Sequence, residues 1–428
     1  MGRKAVDALS SPRKQLLLVA PVEPAETGNG LAMRLGAIFR ALAERFDVHL
    51  FIVPLFPSPG ARAEFTGRYS VRVGRLDLSA HIDPHYRLIA SLKDRGARQH
   101  AMLQYPKPAL SRFITSKTAE TIRAWYGTES PDAVHVARSY LAPLAAAFQN
   151  PDAGSAPFSV LDVDEDEVQT RQRLAKLYST YGDATAAAME TSEAEKYSDW
   201  EELYLATYDC VLLSSGDEAE NMSERWPDLW FEVVPNAMAG RVPRQRRKRM
   251  PGLSRLLFVG NLSYPPNEDA VLFMVEAVLP RLQKISGRRA VLDIVGGGAG
   301  PVLRRLRARH DVVFHGYVKD LESIYRRADA SVIPIRAGGG TRLKILEAFQ
   351  YGTPVVSTSV GAEGLDVVNG RHLLIADKAA DFASQCAMIL RNRRLTDHLR
   401  SQGGSLLRNR YGLSRVKSRL DVVYGKIL

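Results

Sequence analysis

Residues 337–356 read AGGGTRLKILEAFQYGTPVV and directly follow the apolar run ASVIPI. In an open parallel α/β sheet, ligands settle beyond the carboxyl ends of the strands, so the segment after such a run is where chemistry is expected. Gly338, Gly339 and Gly340 remove side chains and let a ligand touch the backbone. Thr341 is a good N-cap for a helix running to Gly352, and the free N–H groups of such a helix end attract phosphate. Leu343, Leu346 and Phe349 form the stripe that packs on the sheet, while Lys344 and Glu347, three residues apart, share the neighbouring face. Arg342 and Lys344 then suit a diphosphate, and Glu347 suits two ribose hydroxyls. The competing reading is an exposed Lys344–Glu347 ion pair. The glycines and Thr341 favour the ligand site, because a solvated helix has no need of a bare-backbone entrance.

Working outward, short apolar runs alternate with helical patterns on both sides of this segment. QLLLVA, VHLFIV, AVHVA, FSVLDV and CVLLS occupy the first half, and RLLFVG, AVLDIVG, DVVFHG, ASVIPI and TPVVST the second. This alternation predicts an α/β protein with two doubly wound, Rossmann-like domains. A chain of 428 residues also exceeds the roughly 250 to 300 at which single cores stop growing. The stretch GRVPRQRRKRMPG breaks the periodicity, so the expected division is an N-terminal domain at 14–240, a basic linker at 241–252 and a C-terminal domain at 253–412. Leu413, Val416, Leu420 and Val423 line one face of a last helix, 413–428, expected to pack back on the N-terminal domain.

Composition narrows the function classes. A formal net charge of +11 favours a polyanionic partner, whether nucleic acid, an acidic membrane or a nucleotide diphosphate. Without aromatics interleaved among the basic residues, or a nucleic-acid-binding motif, nucleic acid is disfavoured. The run LLLVA is too short for a signal peptide or a membrane span, and Val6 stands where a myristoylation signal wants Ser or Thr. Cys210 and Cys386 sit beside apolar residues and read as reduced core thiols, which points to the cytoplasm. The stretch 82–126 mixes Lys, Arg and His with Tyr, Leu, Phe and Trp; it reads as a helical insertion or as a contact surface for an anionic membrane or an acceptor.

The run GGGTRLKILEAFQYGTPVVSTSVGAEGL resembles the donor-binding segment of retaining GT-B glycosyltransferases of the group 1, GT4-like type. The likeness continues in VVPNAM, LLFVGNLSYPPNEDAV, LDIVGGGAG, VVFHGYVKDLESIYRRADASVIP and NGRHLLIAD, and is weaker in ETGNGLAMRLGAIFRALAERFDVHLF and PDAVHVARSYLAPLA. The resemblance implies a GT-B fold with the two domains facing across a cleft. It gives Glu347 the ribose, Lys344 the diphosphate with Arg342 assisting, and the loop Gly316, Tyr317, Val318 the nucleobase. Residues 360–365 would form a second wall. Gly260 and Asn261 fall in the loop after the domain's first strand, where the family usually carries Arg and Lys, and Gly28 and Gly30 in the loop that approaches the sugar phosphate. In the family a glutamate touching the donor sugar commonly lies eight positions before Glu347; here that position is Gly339.

Catalytic groups are expected from the N-terminal domain. The family often shows a second histidine two positions after the first, but His135 is followed by Ala137. The candidates are His135, Arg138, and Asp162 and Asp164 of LDVDEDEVQTR. His135 competes with a buried core histidine, and the acidic run with an ordinary helix start. No metal or other cofactor is implied, since the helix N-terminus, Arg342 and Lys344 meet the charge on a departing diphosphate. The sequence thus points to sugar transfer from a nucleotide diphosphate-sugar to a saccharide or lipid-linked acceptor. A non-catalytic nucleotide-sugar binder and a nucleotide-sugar epimerase remain as alternatives.

Overall fold

The computed structural model describes residues 13–56, 63–69, 71–149, 156–238, 252–340 and 342–428. The expected linker lies outside the described residues except for Gly252, and Thr341 lies outside them as well. The N-terminal sheet contains β1 (Gln15–Ala20), β2 (Asp47–Ile52), β3 (Arg72–Arg75), β4 (Ala133–Ala137), β5 (Phe158–Asp164), β6 (Cys210–Leu213) and β7 (Phe231–Val233), in the order β3-β2-β1-β4-β5-β6-β7. The C-terminal sheet contains β8 (Leu253–Val259), β9 (Arg289–Val295), β10 (Val312–Gly316), β11 (Ala330–Ile333), β12 (Val355–Ser357) and β13 (Leu374–Ile375), in the order β10-β9-β8-β11-β12-β13. Every pairing between these strands is parallel. Both sheets are doubly wound, so each reverses its strand order beside its first strand and opens a crevice there.

Near-continuous burial explains why the central strands are apolar throughout. Leu16 to Ala20 and Leu256 to Phe258 are each fully buried, as helices on both faces of a parallel sheet require. β3, β7 and β13 are short edge or near-edge strands, and β3 exposes three of its four residues.

The last helix, Leu413–Tyr424, lies against the first helix, Gly30–Ala43, and places Val416, Leu420, Val423 and Tyr424 in the N-terminal core. Burying each of these side chains contributes about 1.5 to 3 kcal/mol. The helix before it, Arg393–Arg410, buries Leu399 and Leu407 in the C-terminal core. The chain therefore changes domain twice, and the two crossings touch: Met238 bridges Gly412, with the Met238 N–H donating to Tyr411 O at 2.9 Å. Arg34 secures the first crossing by donating to Val234 O at 2.8 Å. Cys210 and Cys386 are both free and buried. No helix among the described residues is long and apolar enough to cross a membrane.

Candidate donor site between two opposed sheet edges

The carboxyl ends of both sheets point into the same cleft. From the C-terminal domain come the loop after β8, the Gly316 turn ending β10, the 334–342 loop after β11 and the helix Leu343–Gln350. From the N-terminal domain come residues 26–30, Arg138 after β4, residues 164–167 after β5 and the helix Gly216–Arg225 after β6.

Two helix N-termini converge here. Asn29 caps the helix Gly30–Ala43, its Oδ1 accepting from the Ala32 N–H at 2.8 Å. A Cβ on Gly30 would lie 2.9 Å from Leu343 Cδ1, at the start of the helix Leu343–Gln350. The positive ends of two helix dipoles therefore meet, which is a setting for an anion. One residue on, Lys344 donates to Asn267 Oδ1 at 2.7 Å and sits 5.0 Å above the Phe258 ring. No carboxylate pairs with it within 4.0 Å among the described residues. Burial, and then the neighbouring Arg342, push the Lys344 ammonium down to about 7, with Glu347 acting in the opposite sense. Glu347 lies one turn on. Its Oε2 accepts from Tyr325 OH at 2.9 Å, and burial raises its carboxyl. Tyr325 in turn stacks on Tyr351 at 4.9 Å.

Arg342 plays a different part from the one expected. Its guanidinium is buried and turns back on its own loop, donating to the carbonyls of Gly338 at 2.9 Å, Val360 at 3.3 Å and Gly339. It shapes the loop rather than offering charge to a ligand. Asn261 is likewise engaged locally, its Oδ1 accepting from the N–H and hydroxyl of Ser263 at 3.1 and 2.9 Å. Asn267 instead links the two, donating to Asn261 O at 2.8 Å while holding Lys344. Gly260 packs against the Asn267 side chain, 3.0 Å from where its Cβ would stand. On the far side, Gly316 adopts φ 68° over open space, Tyr317 is 72% exposed and Val318 packs on the core.

The four N-terminal candidates separate into two pairs. His135 is fully buried in the middle of β4, with Nδ1 2.8 Å from Tyr424 OH of the last helix, and burial lowers its imidazole to about 4. It is a core residue, and the expectation of a catalytic His135 is corrected. Asp162 is also buried, gripping Arg34 through contacts of 2.6, 2.9 and 3.2 Å. Its charge is committed to tying the first helix to β5. Arg138 and Asp164 do reach the cleft, and Arg138 Nη1 donates to Asp164 Oδ2 at 2.9 Å. They are also the two non-glycine residues with positive φ among those described, at 77° and 68°. Such conformations cost about 1 to 3 kcal/mol each and persist only where the surroundings enforce them.

Around Arg138 lies a group that sequence reasoning passed over. Glu165 Oε1 accepts from Arg138 Nη2 at 2.8 Å, and Glu167 Oε1 accepts from the same nitrogen at 2.5 Å. Burial raises the Glu165 carboxyl against the pull of Arg138. Glu218 accepts from the Gly340 N–H at 3.3 Å, and burial followed by the charge of Glu165 raises it to about 7. The helix Glu167–Thr180 then spans the cleft: Arg173 donates to Gly338 O at 3.1 Å and to Glu363 Oε1 at 2.7 Å. At its end Tyr181 meets Asp269, which also receives Arg336 Nε at 2.9 Å. The signal in the sequence was LDVDEDEVQTRQR itself, an acidic run ending in arginines after a buried strand.

Residues 254–392 match the family described as glycosyl transferases group 1. The chain is 28% identical over 208 residues to a glycogen synthase of Mycobacterium tuberculosis, covering 43% of this chain and 49% of that one. It is 24% identical over 223 residues to an uncharacterized 44.6 kDa protein in the cps region of Klebsiella pneumoniae, covering 50% and 56%. The chain thus spans about half the length of the curated relatives it matches. Among solved structures, sucrose-phosphate synthase from Thermosynechococcus elongatus superposes over 97% of this chain and 99% of its own, at 16% identity and a TM-score of 0.65. TarM covers 98% and 100% at 9% identity and a TM-score of 0.66. Anabaena HepE in complex with UDP-glucose covers 97% and 100% at 12% identity and a TM-score of 0.63. The chain therefore carries a group 1 glycosyltransferase domain, at residues 254–392, within a GT-B fold.

Proposed function

We propose that this chain transfers a sugar from a nucleotide diphosphate-sugar of the UDP or GDP type to an acceptor hydroxyl, with retention of configuration and without a divalent ion. The observation that carries this reading is Lys344, a buried cation held by an amide oxygen where two helix N-termini converge. A diphosphate supplies the anion that this arrangement is built to receive. Glu347, held from behind by Tyr325, takes the ribose hydroxyls, and the exposed edge at Gly316 and Tyr317 takes the base.

In the reaction, the bond between the sugar's anomeric carbon and the β-phosphate oxygen breaks and its electron pair stays on the diphosphate. The acceptor oxygen bonds to the same carbon and releases its proton. Lys344 and the backbone N–H groups at the two helix ends stabilise the charge growing on the diphosphate. The paired crossings at Met238 and Gly412 serve as the hinge on which the cleft opens for substrate and closes for reaction. HepE with UDP-glucose, and TarM with UDP and a glycan, support a saccharide acceptor and a UDP-type donor. The +11 charge, with Leu88 69% and Leu92 38% exposed in the 82–126 region, supports docking on an anionic membrane.

Titration calorimetry with UDP and GDP, followed by a transfer assay on saccharide and lipid-linked acceptors, tests this reading. One nucleotide is expected to bind, and Glu347→Ala to weaken it by about 1 to 3 kcal/mol. Binding without turnover on any acceptor points to a non-catalytic binder, and a sugar isomer formed without acceptor points to an epimerase. Binding of neither nucleotide overturns the proposal.

A further inference from the structure

The bare backbone of the 338–340 loop is met from across the cleft by side chains of the opposite domain. A Cβ on Gly339 would lie 2.0 Å from Thr170 Oγ1 and 3.0 Å from Glu165 Oε2, and one on Gly340 would lie 3.1 Å from the same Oε2. These glycines are needed because the N-terminal domain comes this close.

The two oxygens of Glu165 keep different company. Oε1 is fixed by Arg138 at 2.8 Å, whereas Oε2 has only a long contact of 3.4 Å with the Thr170 hydroxyl among the described residues. Arg138 and Asp164, the residues that frame it, hold the two positive-φ conformations, so the backbone is bent where it delivers this carboxylate. The loop facing Oε2 leads within three residues into the helix Leu343–Gln350, whose N-terminus and Lys344 form the anion site. A group attached to the terminal phosphate there falls between Gly339–Gly340 and Glu165. Glu218 occupies a different place, holding the loop through the Gly340 N–H.

We propose that Glu165 recognises the transferred sugar, its Oε2 accepting hydrogen bonds from ring hydroxyls of the sugar carried on the diphosphate. This rests on the nucleotide diphosphate-sugar reading above. A carboxylate pinned through one oxygen presents the other in a fixed direction, and an ionised carboxylate oxygen accepts from two hydroxyls at once. It therefore distinguishes sugars by which hydroxyls reach it.

The test compares dissociation constants of UDP with UDP-glucose, and of GDP with GDP-mannose, for the full chain and for Glu165→Gln. The unaltered chain is expected to bind one nucleotide sugar more tightly than its nucleotide diphosphate. Glu165→Gln should erase about tenfold of that advantage while changing affinity for the bare nucleotide by less than about twofold. Glu165→Asp, which keeps the charge on a shorter arm, should recover part of the advantage and serves as the working variant if Glu165→Gln does not fold. Equal weakening of nucleotide and nucleotide sugar assigns Glu165 to domain contact alone and overturns the proposal, as does an advantage that survives both variants. If the unaltered chain binds UDP or GDP but gains nothing from the sugar, this proposal fails while the donor-site reading stands. If it binds neither, both fail.

Discussion

Arg138 and Lys344 are buried cations on opposite sides of one cleft, and they differ in their company. Arg138 is surrounded by Asp164, Glu165 and Glu167, each within 3 Å. Lys344 has an amide oxygen, an aromatic face and no carboxylate within 4.0 Å among the described residues. The first arrangement is complete within the protein and enforces a bent backbone. The second is completed by something that is not protein. A buried charge whose partners are supplied by the fold holds the site together, and one whose partner is missing marks where an anion binds.

The most forceful way to break this comparison is to remove each cation and ask which property suffers. Arg138→Met leaves Asp164, Glu165 and Glu167 without their common partner, and breaking a buried pair from one side costs about 3 to 5 kcal/mol. Denaturant unfolding at neutral pH should show a loss of that size. A loss below about 1 kcal/mol, the worth of an exposed ion pair, contradicts a structural role for the cluster.

Lys344→Met should do the reverse. Removing a desolvated cation that no carboxylate neutralises relieves the folded state, so unfolding stability at pH 7 should hold or rise. Nucleotide diphosphate affinity should instead fall by about 1.5 to 3 kcal/mol, the worth of a hydrogen bond to a charged group. Calorimetry and unfolding of the same variant read the two effects separately. A marked loss of stability with unchanged affinity makes Lys344 a structural residue like Arg138.

The same contrast explains how much was legible in the sequence. The donor half of the site is local: Gly338 to Glu347 span one loop and one helix, so spacing alone brings Lys344 and Glu347 onto one face. The central strands were legible for a similar reason, since burial on both faces forces continuous apolar runs such as QLLLVA and AVHVA. The short strands β3, β7 and β13 carry too few residues to show a pattern. The N-terminal half of the site is assembled from residues 138, 164–170 and 218, whose meeting depends on the order of the sheet and on closure of the cleft. His135 and Asp162 illustrate the cost. Both have the right chemistry, yet the alternation of β4 and the register of β5 turn them into the core, toward Tyr424 and Arg34. Arg342 shows that local reading has its own limit, since its position in the segment was right but its guanidinium folds back onto the carbonyls of the loop.

The smallest expected effect sharpens the comparison through pH. Burial first, and Arg342 second, bring Lys344 down to about 7, while Glu347 opposes them. With the folded-state value below the unfolded one, the buried ammonium costs the free protein most below pH 7, and that cost fades as the pH rises toward the ordinary lysine value. A bound diphosphate stabilises the ammonium, so its value rises in the complex and binding takes up a proton above pH 7. Affinity is therefore full below about 7 and declines above it, by about 1 kcal/mol between pH 7 and 8 and by no more than 1.4 kcal/mol for each unit thereafter. A nucleotide sugar is the right probe, because its diphosphate does not titrate in this range as a terminal phosphate does. Lys344→Arg carries a charge that does not titrate here, and its affinity should be flat across the same window. A pH profile that declines equally in both proteins would locate the titrating group elsewhere in the cleft, with Glu218, which is raised to about 7, the next to test.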